Sequence, residues 1–71
     1  MSASLSGAVA KHGAGDAKGA LADYQSIIEA DPSNGRAWHY AGVAHHQLGN
    51  SRKAIACLQR ATNLEPQAAD S

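Results

Sequence analysis

Histidine supplies most of the side chains in this chain that could do chemistry. Four are present, and three of them (His39, His45 and His46) fall in the stretch AWHYAGVAHHQLGN beside the only tryptophan, Trp38. Imidazole serves as a metal ligand, a general base or a packed polar ring, and spacing separates these roles. Chelation from one helix needs ligands at i and i+3 or i+4, where side chains meet. His45 has no His, Cys, Asp or Glu at those offsets. His39 and His46 are two turns apart, about 10.5 Å along a helix axis, which is too far for one zinc ion. Only His12, from another element, could complete a set. A stand-alone histidine metal protein is therefore the weakest of the readings considered below.

Nucleophilic chemistry fares no better. Cys57 has no acid or histidine at i±3 or i±4 and sits between Ala56 and Leu58, so it reads as a small hydrophobe. No serine stands in a nucleophile elbow. GAGDAKG has glycine and lysine but lacks the spacing and the preceding strand of a phosphate loop, so it reads as a turn. Neither a catalytic nor a cofactor nor a metal site is expected.

The elements that carry these residues follow from composition and periodicity. Sixteen alanines dominate the apolar residues, which suits close helix packing and not a sheet rich in β-branched and aromatic side chains. Six Lys and Arg balance six Asp and Glu without forming a basic stripe, so nucleic acid is not an expected partner. No apolar run is long enough to span a membrane, and MSASLSGAVAKHG is not expected to act as a secretory leader. A single cysteine makes a reducing, cytoplasmic setting the expectation.

The chain also repeats itself. GDAKGALADYQSIIEADP (Gly15 to Pro32) aligns without a gap on GNSRKAIACLQRATNLEP (Gly49 to Pro66), every pair 34 residues apart. Gly15 meets Gly49, Ala20 meets Ala54, Leu21 meets Ile55, Gln25 meets Gln59 and Pro32 meets Pro66. Apolar residues recur at helical spacing in each copy, with Ala54, Leu58 and Ala61 at i, i+4 and i+7 in the second. Asp16 in the first copy, and Asn50 or Ser51 in the second, can cap the helix starts, and each proline ends a helix. DPSNG then turns the chain, with Ser33 or Asn34 placed to cap the next helix. That helix carries Ala37, Trp38, Ala41, Ala44, His45 and Leu48 on one face and ends at Gly49. Trp38 is expected to be the central packing residue of the second repeat, and His45 a packed ring with its nitrogen satisfied.

In Trp38, Ala41-Gly42, His45, Gly49, Ala54, Leu58, Ala61 and Pro66 the sequence resembles the tetratricopeptide repeat family. Ala41 replaces the family's leucine and His45 its aromatic residue. The first copy is looser, since Ser4 and Gly7 occupy the places of Trp38 and Ala41, while a one-residue slip would align Leu5, Ala8 and His12 with Trp38, Ala41 and His45. A frayed first helix is expected. Parts of the second copy also resemble repeat arrays that precede catalytic domains in some bacterial glycosyl-, sulfo- and methyltransferases.

The resemblance implies an all-α fold of four antiparallel helices, at 3–13, 17–30, 35–48 and 51–64, as a fragment of an α-solenoid. The first repeat would cover residues 1–34, the second 35–68, with 69–71 as a tail. It implies a module that binds a protein or peptide in a groove lined by the first helices, here by Val9, His12, Arg36, His39, Tyr40, Val43, His46 and Gln47. The lysine, arginine and asparagine clamp by which some members hold an acidic peptide end is missing, because Leu5, Val9 and Tyr40 stand at such positions. The alternative is a docking module at the front of a larger bacterial transferase. Because solenoid units bury their faces on neighbours, Ile55, Leu58 and Thr62 are expected to form a self-association face, giving a homo-oligomer unless the chain belongs to a longer array.

Overall fold

The computed structural model describes residues 4–64, from the Ser4 cap through four helices and the turns between them. Four helices follow in order: α1 (Leu5–Gly13), α2 (Ala17–Ala30), α3 (Gly35–Gln47) and α4 (Ser51–Leu64). Two boundaries differ from the sequence expectation. Helix α1 starts at Leu5, because the Ser4 hydroxyl accepts from the Gly7 amide as N-cap, and α3 stops at Gln47 with Leu48 as its C-cap. The expected ends of the second repeat at 65–68 and the tail at 69–71 lie outside the described residues.

Local chemistry accounts for the turns. Ser4, Asp16 and Asn34 each place a side-chain oxygen on the amide three residues on, at 3.1, 2.9 and 3.2 Å. At the end of α3 the Gly49 amide bonds to His46 O and the Asn50 amide to His45 O, with Gly49 at φ +84°. Gly15 and Asp16 repeat this pair at the end of α1, onto His12 O and Lys11 O, with Gly15 at φ +92°. Both are Schellman closures, which need a left-handed residue and so favour glycine. Their bonds lie 34 residues apart. The repeat interval therefore runs through the end of α1, which excludes the one-residue slip there: His46 is the repeat-mate of His12, and His45 that of Lys11.

Pro32 ends its helix as expected, while Pro66 lies outside the described residues. Asp31 is held at φ −143° before Pro32, which stops α2 at Ala30, and its carboxylate accepts from the Ser33 amide and hydroxyl.

The core is made of small residues around one ring. Ala8, Ala20, Ala41, Ala44 and Cys57 pack with Tyr24, and Leu5, Leu21, Ile28, Trp38 and Tyr40 close the margin. Tyr24 is fully buried, and no other large side chain among the described residues is. The expectation that Trp38 would be the central packing residue of the second repeat is corrected by its own exposure, since Ala37, Ala41, Ala44, Ala54, Cys57 and Ala61 are the apolar side chains buried there. Trp38 is half-buried: its indole N–H donates to Pro32 O at 2.8 Å, and the Arg60 guanidinium lies 5.8 Å from its ring centre. It ties the α2–α3 turn to α4 from the edge. Leu48, expected on the buried face, is 37% exposed.

Close approach is the other requirement of an alanine core. A Cβ at Gly42 would stand 2.7 Å from Leu58 Cγ and 3.1 Å from the Ala54 carbonyl, so α3 and α4 meet where only glycine fits. Gly42→Ala should thus lower stability by about 1–3 kcal/mol through overpacking, outweighing the ~1 kcal/mol that alanine gains in an open helical site. Gly13→Ala, where the added methyl meets nothing within 4 Å, should be neutral or stabilising. Urea titration of both variants checks the contrast. In the same assay Tyr24→Ala should cost about 3–5 kcal/mol and Trp38→Ala clearly less; the reverse order would restore Trp38 to the centre.

Candidate functional site

The expected groove residues come from α1 and α3. On α3, Arg36, His39, His46 and Gln47 are exposed, while Tyr40 and Val43 are half-buried. On α1, Val9 is exposed and His12 half-buried. Helical spacing puts the six α3 residues within an arc of about 120°, opposite the buried Ala37, Ala41 and Ala44.

Five side chains here are physically linked. His12 Nε2 lies 2.8 Å from Gln47 Oε1, which joins α1 to α3 across 35 residues of sequence. An amide oxygen only accepts, so Nε2 carries the proton in this arrangement, and Nδ1 accepts from the Tyr24 hydroxyl at 3.4 Å. Tyr24 stacks on Tyr40 at 5.7 Å between ring centres and an interplanar angle of 17°, and His39 meets Tyr40 edge-on at 5.6 Å. The line runs Gln47, His12, Tyr24, Tyr40, His39. Burial pushes the Tyr24 phenol above its ordinary value, helped by Tyr40 and Asp23, so it serves as a neutral donor. Val9, Val43, His46 and Arg36 share the face without joining this chain of contacts.

Tyr24 is the member of this line that sequence reasoning missed. It belongs to α2, whereas the family resemblance points to first helices only. The available signal was its repeat-mate: Leu58 holds the corresponding place, so a ring with a hydroxyl at position 24 needed a polar partner nearby. His12 supplies it.

The remaining candidates are apart from this face. His45 is buried as expected, at 6% exposure, but its Nδ1 has no hydrogen-bond partner among the described residues, which corrects the expectation of a satisfied nitrogen. Cys57 is buried, and burial raises its thiol above the usual range, which disfavours the nucleophilic thiolate. Among the described residues no three His, Cys, Asp or Glu stand where they could hold one metal ion. No described helix is long and apolar enough to cross a membrane.

On α4, Ile55 is 55% exposed, and with Leu58, Gln59, Thr62 and Asn63 it lines a shallow open groove. Leu58 is half-buried, since one side of it packs on Gly42. The Thr62 hydroxyl donates to Leu58 O at 3.0 Å.

Comparison with known proteins agrees with this architecture. The sequence matches the family described as tetratricopeptide repeat over residues 11–70. It is also 30% identical over 57 residues to the Protein CTR9 homolog of Arabidopsis thaliana, a match that covers 80% of this chain and 5% of that protein. The paired helices, the two Schellman closures 34 residues apart and the sequence match converge, and the chain belongs to the tetratricopeptide repeat family.

Proposed function

We propose that this chain binds a protein or peptide on the face shared by α1 and α3. Tetratricopeptide repeats generally mediate protein–protein interaction. The observation that carries the reading to this face is the line from Gln47 through His12, Tyr24 and Tyr40 to His39, which sets two aromatic rings and two imidazoles in fixed relation. Tyr24 is buried and serves to hold Tyr40 and His12 in place. The preorganised Tyr40, His12 and His39 rings cost little conformational entropy on binding and offer apolar faces and hydrogen-bonding edges. Arg36, His46 and Gln47 supply polar contacts beside them, and Val9 and Val43 apolar ones.

The test uses proximity cross-linking of the full chain in native extract, followed by mass spectrometry, with wild type beside a His39→Ala/His46→Ala variant. Both histidines are exposed, so the variant should melt like wild type yet lose at least one partner that wild type captures. If every partner is retained, the groove assignment fails. His45→Ala should behave oppositely, lowering the melting temperature, because it empties a buried site.

A second contact surface has its own support. Ile55, Leu58 and Thr62 are the repeat-mates of Leu21, Tyr24 and Ile28, of which Tyr24 belongs to the buried core and the other two pack against it. On α4 the matching face is uncovered among the described residues, and the Thr62 hydroxyl is already satisfied, which leaves its methyl for contact. Self-association through this face, or its cover by a further repeat in a longer array, completes the burial that the first repeat obtains internally. Sedimentation of the chain at tens of micromolar should show a dimer or larger species, and Ile55→Lys should return it to monomer. A wild-type chain that stays monomeric removes the self-association half of this proposal.

A further inference from the structure

The two repeats bind their helix pairs together with different chemistry at one position. In the first, Lys11 Nζ on α1 pairs with Asp23 Oδ2 on α2 at 2.8 Å. Their repeat-mates are His45 on α3 and Cys57 on α4. A charge pair has become an imidazole and a thiol. Both line one crevice between α2, α3 and α4, together with Gln25, Ile28, Glu29 and Trp38.

The groups facing His45 can be named by element. From α4 come Lys53, whose charge opposes a second cation, and the neutral Cys57 thiol. From α2, Gln25 and Glu29 line the crevice; Glu29 is exposed at its rim and makes no ion pair with His45. On α3 the crevice residues are Trp38 and Ala41, neither titratable. His45 Nδ1 is enclosed without a partner among the described residues. Protonation of the ring puts an N–H on both nitrogens, so the enclosed Nδ1 becomes a donor of a cation with no acceptor, with a lysine nearby and no carboxylate where the first repeat keeps one. Burying an uncompensated charge is strongly destabilising.

We propose that His45 is an acid-sensitive latch between α3 and α4: neutral, it lets α4 close on α3, and protonated, it loosens the second helix pair while the first keeps its charge pair. Burial first, and then Lys53, hold the folded-state pKa of His45 below the ordinary imidazole value. As pH falls the unfolded chain therefore takes up this proton before the folded one. The stability held by neutral His45 is complete above the ordinary value of about 6.5 and is lost as pH falls from there through the folded-state pKa.

Thermal melts of the full chain at about pH 7.5 and about pH 5.5, at fixed ionic strength, read the effect. Wild type should lose several degrees on acidification. His45→Gln, neutral throughout, should lose markedly less. The double variant H45K/C57D, which moves the first repeat's charge pair into the second, should also be flatter than wild type. A wild-type melting temperature that does not fall, or a His45→Gln profile that tracks wild type, overturns the latch. Should both variants fail to fold, imidazole NMR of the wild type decides: the His45 resonance must titrate below that of an unfolded peptide, with the Trp38 indole shifting at the same midpoint. A His45 midpoint at or above the peptide value refutes the proposal.

Discussion

Burial of the Tyr24 ring is the constraint on which the remaining packing depends. A core of alanines buries little apolar area per residue, so one large ring supplies a major share of the favourable transfer energy. The ring fills the space only if the helices around it come close, and that is why Ala8, Ala20, Ala41 and Ala44 surround it. Its hydroxyl sets a second condition. A phenol taken out of water needs a partner, and His12 accepts from it while donating to Gln47. One buried atom thus couples α1, α2 and α3, although α1 is only nine residues long.

Much of the fold is legible in the sequence because its determinants are local. The Asp16 and Asn34 caps, the stop before Pro32 and the left-handed glycines Gly15 and Gly49 act within four or five residues of themselves. What was not legible depends on neighbours. Trp38 and Tyr24 are both rings at core-compatible spacing, and the sequence does not say which is covered. Helix α2 is flanked by α1 and α3, so its ring is enclosed, whereas Trp38 stands one turn into α3 beside the turn that its indole binds. Likewise the family resemblance points to a face on α1 and α3, but its wiring through Tyr24 depends on the third dimension. Whether His45 finds a hydrogen-bond partner is also non-local, and spacing along α3 carries no information about it.

Departures from the 34-residue interval are more informative than agreements with it. Where the two repeats agree, as in the Schellman closures, they meet the same backbone requirement. Where they differ, a different side chain gives different chemistry at an equivalent place. Tyr24 becomes Leu58, which loses the hydroxyl and its tie to a histidine. Lys11 with Asp23 becomes His45 with Cys57, which exchanges a permanent charge pair for one titratable group and one thiol.

Helix α4 is held from one side and open on the other, and this arrangement links the two proposals made for it. At about 100° per residue, Ile55 and Cys57 point about 160° apart, so the open face and the His45 crevice lie on opposite sides of one helix. A helix that covers Ile55 and Leu58 binds only while α4 is in place against α3. Such a ligand stabilises the folded state by RT ln(1 + [L]/Kd), and it offsets the acid penalty at His45 without touching that residue. Linkage makes the relation reciprocal: acidification weakens association at the outer face to the extent that it lowers the fraction of chains with α4 docked on α3. In the first repeat the corresponding helix is covered by α3 and clasped by Lys11 and Asp23, so it has neither the open outer face nor a histidine at the place of His45.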